Sequence, residues 1–362
     1  MPANFDLSML AFKAIAPNNE VLYDDVGLPS FMVRIPKMTY AELGIGESTD
    51  VFPAFIVNGQ EVPEIYISKY QNCVYGGRAY SLPGRAPQTN ITLDTAVSRC
   101  TTKGAGWHLM TSMEWALLAH WCKKNGTMPK GNNNYGKDVS ENIYSAIPCA
   151  FSEGQRTKVL TGTGPVSWYH DGTIAGIWGL NGNVSEWVGG MRLVYGELQV
   201  LVNNNAADSS HPQTAASTEW KAINAATGAF VTPNGSGTTV DSVKLRWKNN
   251  NHFEWTADST ADGTDTYKSC AFESVAADTS IGDAAKLVLK ALAVLKDDET
   301  AGAYLGDVMY ANTSAEERSF CCGGSYAVGA SAGVFYLGGS NARSYSYALI
   351  GFRSAFVQLP TA

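Results

Sequence analysis

Apolar residues crowd both sides of Asn58-Gly59: Phe55, Ile56 and Val57 precede it, and Val62, Ile65, Tyr66 and Ile67 follow. Asn-Gly supplies the positive φ angles of a two-residue turn, so the segment predicts a β-hairpin. Farther on, "TNITLDTAVSRCTTKGAGWHLMTSMEWALLAHWCKKNG" predicts two helices. Asp94 or Thr92 caps the first, which runs out near Lys103-Gly104. Thr111 or Ser112 caps the second, with Glu114 in its first turn and Gly126 just past its end. Met113, Leu117 and Trp121, with Leu118 beside them, share a face of that helix and predict a core stripe.

Elsewhere the pattern is looser. Residues 1–50 mix short apolar runs with Pro and Asn and read as an N-terminal arm or strands. Residues 131–165, rich in Asn, Gly and Ser, read as an irregular loop region held by a larger scaffold. Dense Trp and Gly follow, then the apolar alternation of strands. Residues 203–317 are polar and rich in Thr, Ala and Asn, and read as an insertion packed on the main body. They carry a strand-like "VKLRW", a hairpin around "KNNNHFEW" and a helix over "DAAKLVLKALAVL". Near the end, "IGFRSAFV" places Ile350, Phe352 and Phe356 on the inward face of a last strand.

Composition narrows the function. At 362 residues with 45% hydrophobic and 16% charged positions, the chain is globular and long enough for a sizeable core. A net charge of −7 without a Lys/Arg cluster argues against nucleic acid as a partner. No run approaches the roughly 20 apolar residues that span a bilayer. No conventional signal peptide is visible either, so a role outside the cell implies another route, such as a virus particle. The seven cysteines lack metal-site spacing and read as reduced, buried thiols.

Obvious catalytic motifs are missing. The five histidines form no ligand cluster, and His170-Asp171-Gly172 reads as a tight turn. "NGNVSEW" carries two readings. Asn181 and Glu186, with the carbonyls of Gly182 and Val184, bring hard oxygens together as a structural calcium site would. Alternatively the same side chains hydrogen-bond the turn. No cofactor is otherwise required.

Taken together, "GWHLMTSMEWALLAHWCKKNG", "GNNNYG", "GIWGLNGNVSEWVGG" and the closing "GGSY…GFRSAF" resemble the formylglycine-generating-enzyme type of C-type lectin fold. Within it they resemble the variable proteins of diversity-generating retroelements, including phage receptor-binding proteins. The resemblance implies an α+β fold with a twisted antiparallel sheet, two helices and an inserted segment, the lectin-like domain running over residues 51–362. It also separates two activities. Oxidases of this type carry a reactive cysteine pair just after the GGS segment, where this chain has Ala327, Val328, Ala330 and Ser331. Cys321 and Cys322 precede Gly323, outside that spacing. The alternative of an oxidase acting on a peptide cysteine therefore lacks its nucleophile.

In the retroelement family, adenine-directed reverse transcription rewrites selected codons near the end of the gene. By that resemblance the variable region covers residues 323–357, and its exchangeable positions are Ala327, Val328, Ser331, Tyr336, Gly338, Gly339, Ser340, Tyr345, Tyr347, Ala348 and Leu349. All belong to the residue types that rewriting an AAC or AAT codon can reach. Gly323-Gly324, Gly329 and Gly333 frame them with close turns, and Tyr336, Tyr345 and Tyr347 are the expected exposed anchors. The implied function is attachment, without catalysis, to a protein or glycan on a target cell. The protein would be displayed on a virion or cell surface, with a homo-oligomer or virion component as its setting.

Overall fold

The computed structural model of the chain describes residues 13–249, 251–260 and 267–359; the first twelve positions of the expected arm lie outside these. In chain order the principal elements begin with β1 (Asn19–Tyr23), β2 (Pro29–Pro36), β3 (Glu64–Ser68), α1 (Leu93–Thr101), β4 (Trp107–Leu109), α2 (Ser112–Asn125), β5 (Ser185–Val194) and β6 (Glu197–Val200). They continue with β7 (Lys244–Lys248), β8 (His252–Thr256), β9 (Tyr267–Ala271), α3 (Asp283–Ala291), β10 (Val308–Asn312), β11 (Arg318–Cys322), β12 (Leu337–Asn341), β13 (Ile350–Phe352) and β14 (Ser354–Phe356).

Local chemistry explains the elements near the N-terminal half. Asn58 (φ 55°) and Gly59 (φ 72°) make the hairpin turn between Ile56–Val57 and Gln60–Glu61. Thr92 caps α1, and Thr111 forms a capping box with Glu114 at the start of α2. Gly126 ends α2 in the left-handed conformation at φ 65°. α2 is not an amphipathic helix with one buried stripe. Met113, Leu117 and Leu118 are buried, but so are Glu114 and His120, while Trp121 is only half-buried. The polar pair is affordable because each is bonded: Glu114 to His108 at 2.8 Å and to Asn204 at 3.0 Å, His120 to the Lys290 carbonyl at 2.8 Å.

Two sheets carry the fold. The first runs β1-β2-β3-β14-β4, so the N-terminal strands pair directly into the sheet that the chain's last strand completes. The second, a 12-stranded sheet, runs β9-β10-β12-β11-β5-β6-β7-β8 along its main path and ends on the short strand Ala276–Ala277 beside β8. It is mixed rather than antiparallel throughout: β10 with β12, and β5 with β13, pair in parallel. Chain connections that leave the sheet and return through long loops permit parallel neighbours, which tight hairpins cannot make.

"IGFRSAFV" is likewise two strands rather than one, because the chain passes from the second sheet (β13) to the first (β14) at Arg353. That guanidinium is fully buried. It meets both Glu186 oxygens at 2.6 Å and the carbonyls of Ser68, Trp178 and Gly179 at 3.0–3.3 Å. Ile350 and Phe352 are buried as expected, whereas Phe356 is half-buried against Trp107 and Tyr66.

Residues of the expected insertion extend the second sheet at both ends, through β7–β8 and through β9–β10. They also join the central core. Trp255, Phe272, Leu289 and Tyr304 are fully buried in the same cluster as Phe55, Leu117 and Leu193. The seven cysteines are unpaired, as the sequence predicts, and five of them are buried. Among the described residues no helix is long and apolar enough to cross a membrane.

Candidate ligand-binding site

The oxygens proposed for calcium are engaged elsewhere. Glu186 accepts the bidentate Arg353 pair, and Gln71 Nε2 donates to Glu186 and to the carbonyls of Gly182 and Val184. Asn181 Oδ1 accepts from Asn133, and its amide donates to the Pro129 carbonyl. A guanidinium thus stands against the carboxylate that a calcium ion would need, and the residues do not fit the ion. The hydrogen-bonded turn is the reading that geometry favours. His170 also sits in a turn, its Nδ1 accepting the Ile177 N–H at 2.8 Å while burial pushes its pKa down to about 4.

The region after β11 is pinned from several sides. Gly323 and Gly324 hold φ angles of 84° and 71°, where a side chain would be strained. Gly333 lies so close to Asp307 that a Cβ there would fall 2.1 Å from the carboxylate. Farther along, Arg343 donates to Glu317, Asp94 and the Gln213 carbonyl. Burial alone would raise Glu317, but Arg343 and Arg192 hold it below its ordinary value. Above this anchor Ser344, Tyr345, Ser346, Tyr347 and Ala348 are exposed.

The eleven positions divide. Ala327, Tyr345, Tyr347 and Ala348 are exposed; Val328, Ser331, Ser340 and Leu349 are half-buried. Tyr336, Gly338 and Gly339 are buried, contrary to expectation. Gly338 and Gly339 lie in β12 with no room for a side chain. A Cβ on Gly338 would fall 2.8 Å from Cys321 Sγ, and one on Gly339 would fall 2.6 Å from the Phe320 ring. Tyr336 is only 9% exposed, its ring lying 5.6 Å from that of Tyr310, and burial drives its pKa far up.

These groups nevertheless converge on one cleft of about 260 Å³. Tyr336 and Gly338 form part of its lining, with Val328, Ser340, Tyr345, Tyr347 and Leu349 from the exchangeable set. Two further walls come from the insertion. Tyr310 on β10 stands level with Gly338 through the parallel pairing, and Tyr267 on β9 stacks on Tyr310 at 5.6 Å and 29°. Tyr345 and Tyr347 lie 5.8 Å apart. The sequence reading missed Tyr267 and Tyr310, since nothing in "VMYAN" announces its parallel partner. Cys321 borders this cleft, but it and Cys322 are buried, and burial pushes Cys321 up to about 12 and Cys322 well above its usual value, which keeps both as thiols rather than thiolates.

The cleft is thus walled by tyrosines from strands and from the loop 344–348, and among the described residues its lining holds no Asp, Glu, Lys, Arg or His. Residues 11–192, half of the chain, match the sulfatase-modifying factor enzyme 1-like domain, and the chain belongs to that family. The expected formylglycine-generating-enzyme type of C-type lectin fold stands with that membership. No curated protein matches the chain. Among solved structures it is similar to Treponema denticola variable protein 1 (TM-score 0.34, 11% identity, covering 94% of this chain and 99% of that one). It is also similar to the Major Tropism Determinant P3c variant (TM-score 0.29, 9% identity, covering 94% and 71%).

Proposed function

We propose that the chain is a non-enzymatic ligand-binding protein whose surface is diversified by a retroelement for attachment to a protein or glycan on a target cell. The observation that supports the reading is the loop 344–348, exposed as a unit above the half-buried Arg343–Glu317 anchor. Exchange of solvent-facing side chains there costs within about 0.5 kcal/mol, so new specificities arise without loss of fold. Tyrosines supply wide contact area with few rotors to freeze. Display on a virion or cell surface raises avidity by multivalency.

The test is to exchange Ala327, Val328, Ser331, Ser340, Tyr345, Tyr347, Ala348 and Leu349 together and stain a panel of cell types with tetramerised protein. The set of stained cells changes while Tm stays constant; an unchanged set refutes the proposal and leaves a structural virion protein.

Family membership favours a second reading, oxidation of a peptide cysteine. Incubation with a sulfatase-type peptide and copper decides it: aldehyde formation that is abolished by Cys321→Ser or Cys322→Ser overturns the binding-only reading.

A further inference from the structure

Three features of the cleft bear on what enters it. The first is charge: among the described residues its lining holds no Asp, Glu, Lys, Arg or His. A carboxylated, sulfated or phosphorylated ligand would shed its hydration there without meeting a counter-ion, and a cationic one would meet no carboxylate. The second is the ring arrangement. Tyr267 is 61% exposed and stacked on Tyr310, while Tyr345 and Tyr347 are 40% and 48% exposed, so flat aromatic surface faces the opening from the insertion and from the variable loop.

The third is an unmet hydroxyl. Ser325 borders the cleft, is 1% exposed, and its Oγ has no hydrogen-bond partner among the described residues. An aliphatic side chain filling the cleft would offer no partner to that group or to the nearby, half-buried Ser340 and Asn341, whereas a hydroxyl-bearing one would. A neutral ligand with both an apolar face and a rim of hydroxyls meets all three features. A pyranose ring is such a ligand: its C–H face packs on an aromatic ring and its hydroxyls exchange hydrogen bonds with serine and tyrosine.

Resting on the binding function proposed above, we infer that Tyr267, Tyr310 and Ser325 form a constant subsite for an uncharged hexose unit of a target glycan, beside the exchangeable loop. Variable residues then select what surrounds the sugar, while the two insertion tyrosines and the non-exchangeable Ser325 hold the sugar itself.

The experiment applies the tetramerised protein to immobilised neutral glucose-, galactose- and mannose-containing oligosaccharides, to sialylated and sulfated ones, and to unglycosylated proteins. Retention on neutral oligosaccharides is expected, falling at least tenfold in Tyr267→Ala and surviving in Tyr267→Trp, which keeps a stacking face. Ser325→Ala is the second variant. It weakens the same retention while leaving Tm unchanged or higher, because the removed hydroxyl has no partner among the described residues, so a loss of retention is not a loss of fold. The inference is overturned by retention confined to proteins or to anionic glycans, by neutral-glycan retention unchanged in Tyr267→Ala and Ser325→Ala, or by no retention at all. None of these outcomes touches the cell-staining test, whose result depends on the exchangeable positions, so the two readings fail separately.

Discussion

Replacing Arg353 by Met removes the group on which both sheets converge. The side chain is fully buried and Glu186, its partner, is 1% exposed. Met fills most of the volume, so the cost is chiefly electrostatic: Glu186 is left with Gln71 Nε2 as its remaining donor, the carbonyls of Ser68 and Trp178 lose the guanidinium, and that of Gly179 keeps only Gln71 Nε2. Removing one partner of a buried ion pair costs about 3–5 kcal/mol. An unfolding entropy near 2.1 cal/mol/K per residue gives roughly 0.8 kcal/mol/K for a chain of this length, so about 4 kcal/mol lowers Tm by roughly 5 °C. Differential scanning calorimetry measures this directly. Glu186→Gln, which strands the arginine instead, gives a comparable loss, and Arg353→Met with Glu186→Leu recovers part of it because no charge is then left alone. A fall of less than 1 °C in Arg353→Met would refute the reasoning. So would a Tm lowered by EDTA, since a metal ion would then be neutralising Glu186.

Other consequences are testable with the same protein. Asp307 is 2% exposed and burial raises its pKa to about 7, above the ordinary carboxylate value near 4, so the stability that its protonated form contributes is full below about pH 4 and lost as pH rises through 7. Asp307→Asn, which keeps an acceptor for the Phe335 N–H, therefore narrows the Tm difference between pH 5 and pH 8; an unchanged difference counts against it. Tyr345→Ala and Tyr347→Ala shift stability by no more than about 0.5 kcal/mol, whereas Gly339→Val, driven against Phe320, costs about 1–3 kcal/mol in chemical denaturation, and equal effects would reverse the assignment of surface and floor. Iodoacetamide followed by mass spectrometry leaves Cys100, Cys122, Cys321 and Cys322 unmodified in the native protein and labels them after denaturation; native labelling of Cys321 or Cys322 would reopen the oxidase reading.

Local signals in the sequence were legible where a short stretch decides the outcome. Thr111, Glu114 and Gly126 mark the ends of α2 because capping involves neighbours within one helical turn. Asn58-Gly59 marks its hairpin for the same reason. What escaped depends on contacts between distant residues. Arg353 reads as one more position of a strand until Glu186 and three carbonyls are placed around it. Gly338 and Gly339 pass as exchangeable until β11 brings Cys321 and Phe320 against them. Tyr267 and Tyr310 look like ordinary members of a polar insertion, and only the parallel pairing of β10 with β12, with β9 antiparallel beside it, brings them to Tyr336.

The order of the chain around Arg353 has a further effect. Phe352, Arg353 and β14 are translated after Leu349, the last of the positions expected to be exchangeable, yet each is required to finish a sheet or fill the core. A frameshift or stop upstream yields a polypeptide lacking all three, with Glu186 deprived of its guanidinium partner and an open gap between β3 and β4. Under the function proposed above, such products would fail before they reach any surface, and proofreading of a diversified gene would be delegated to folding itself.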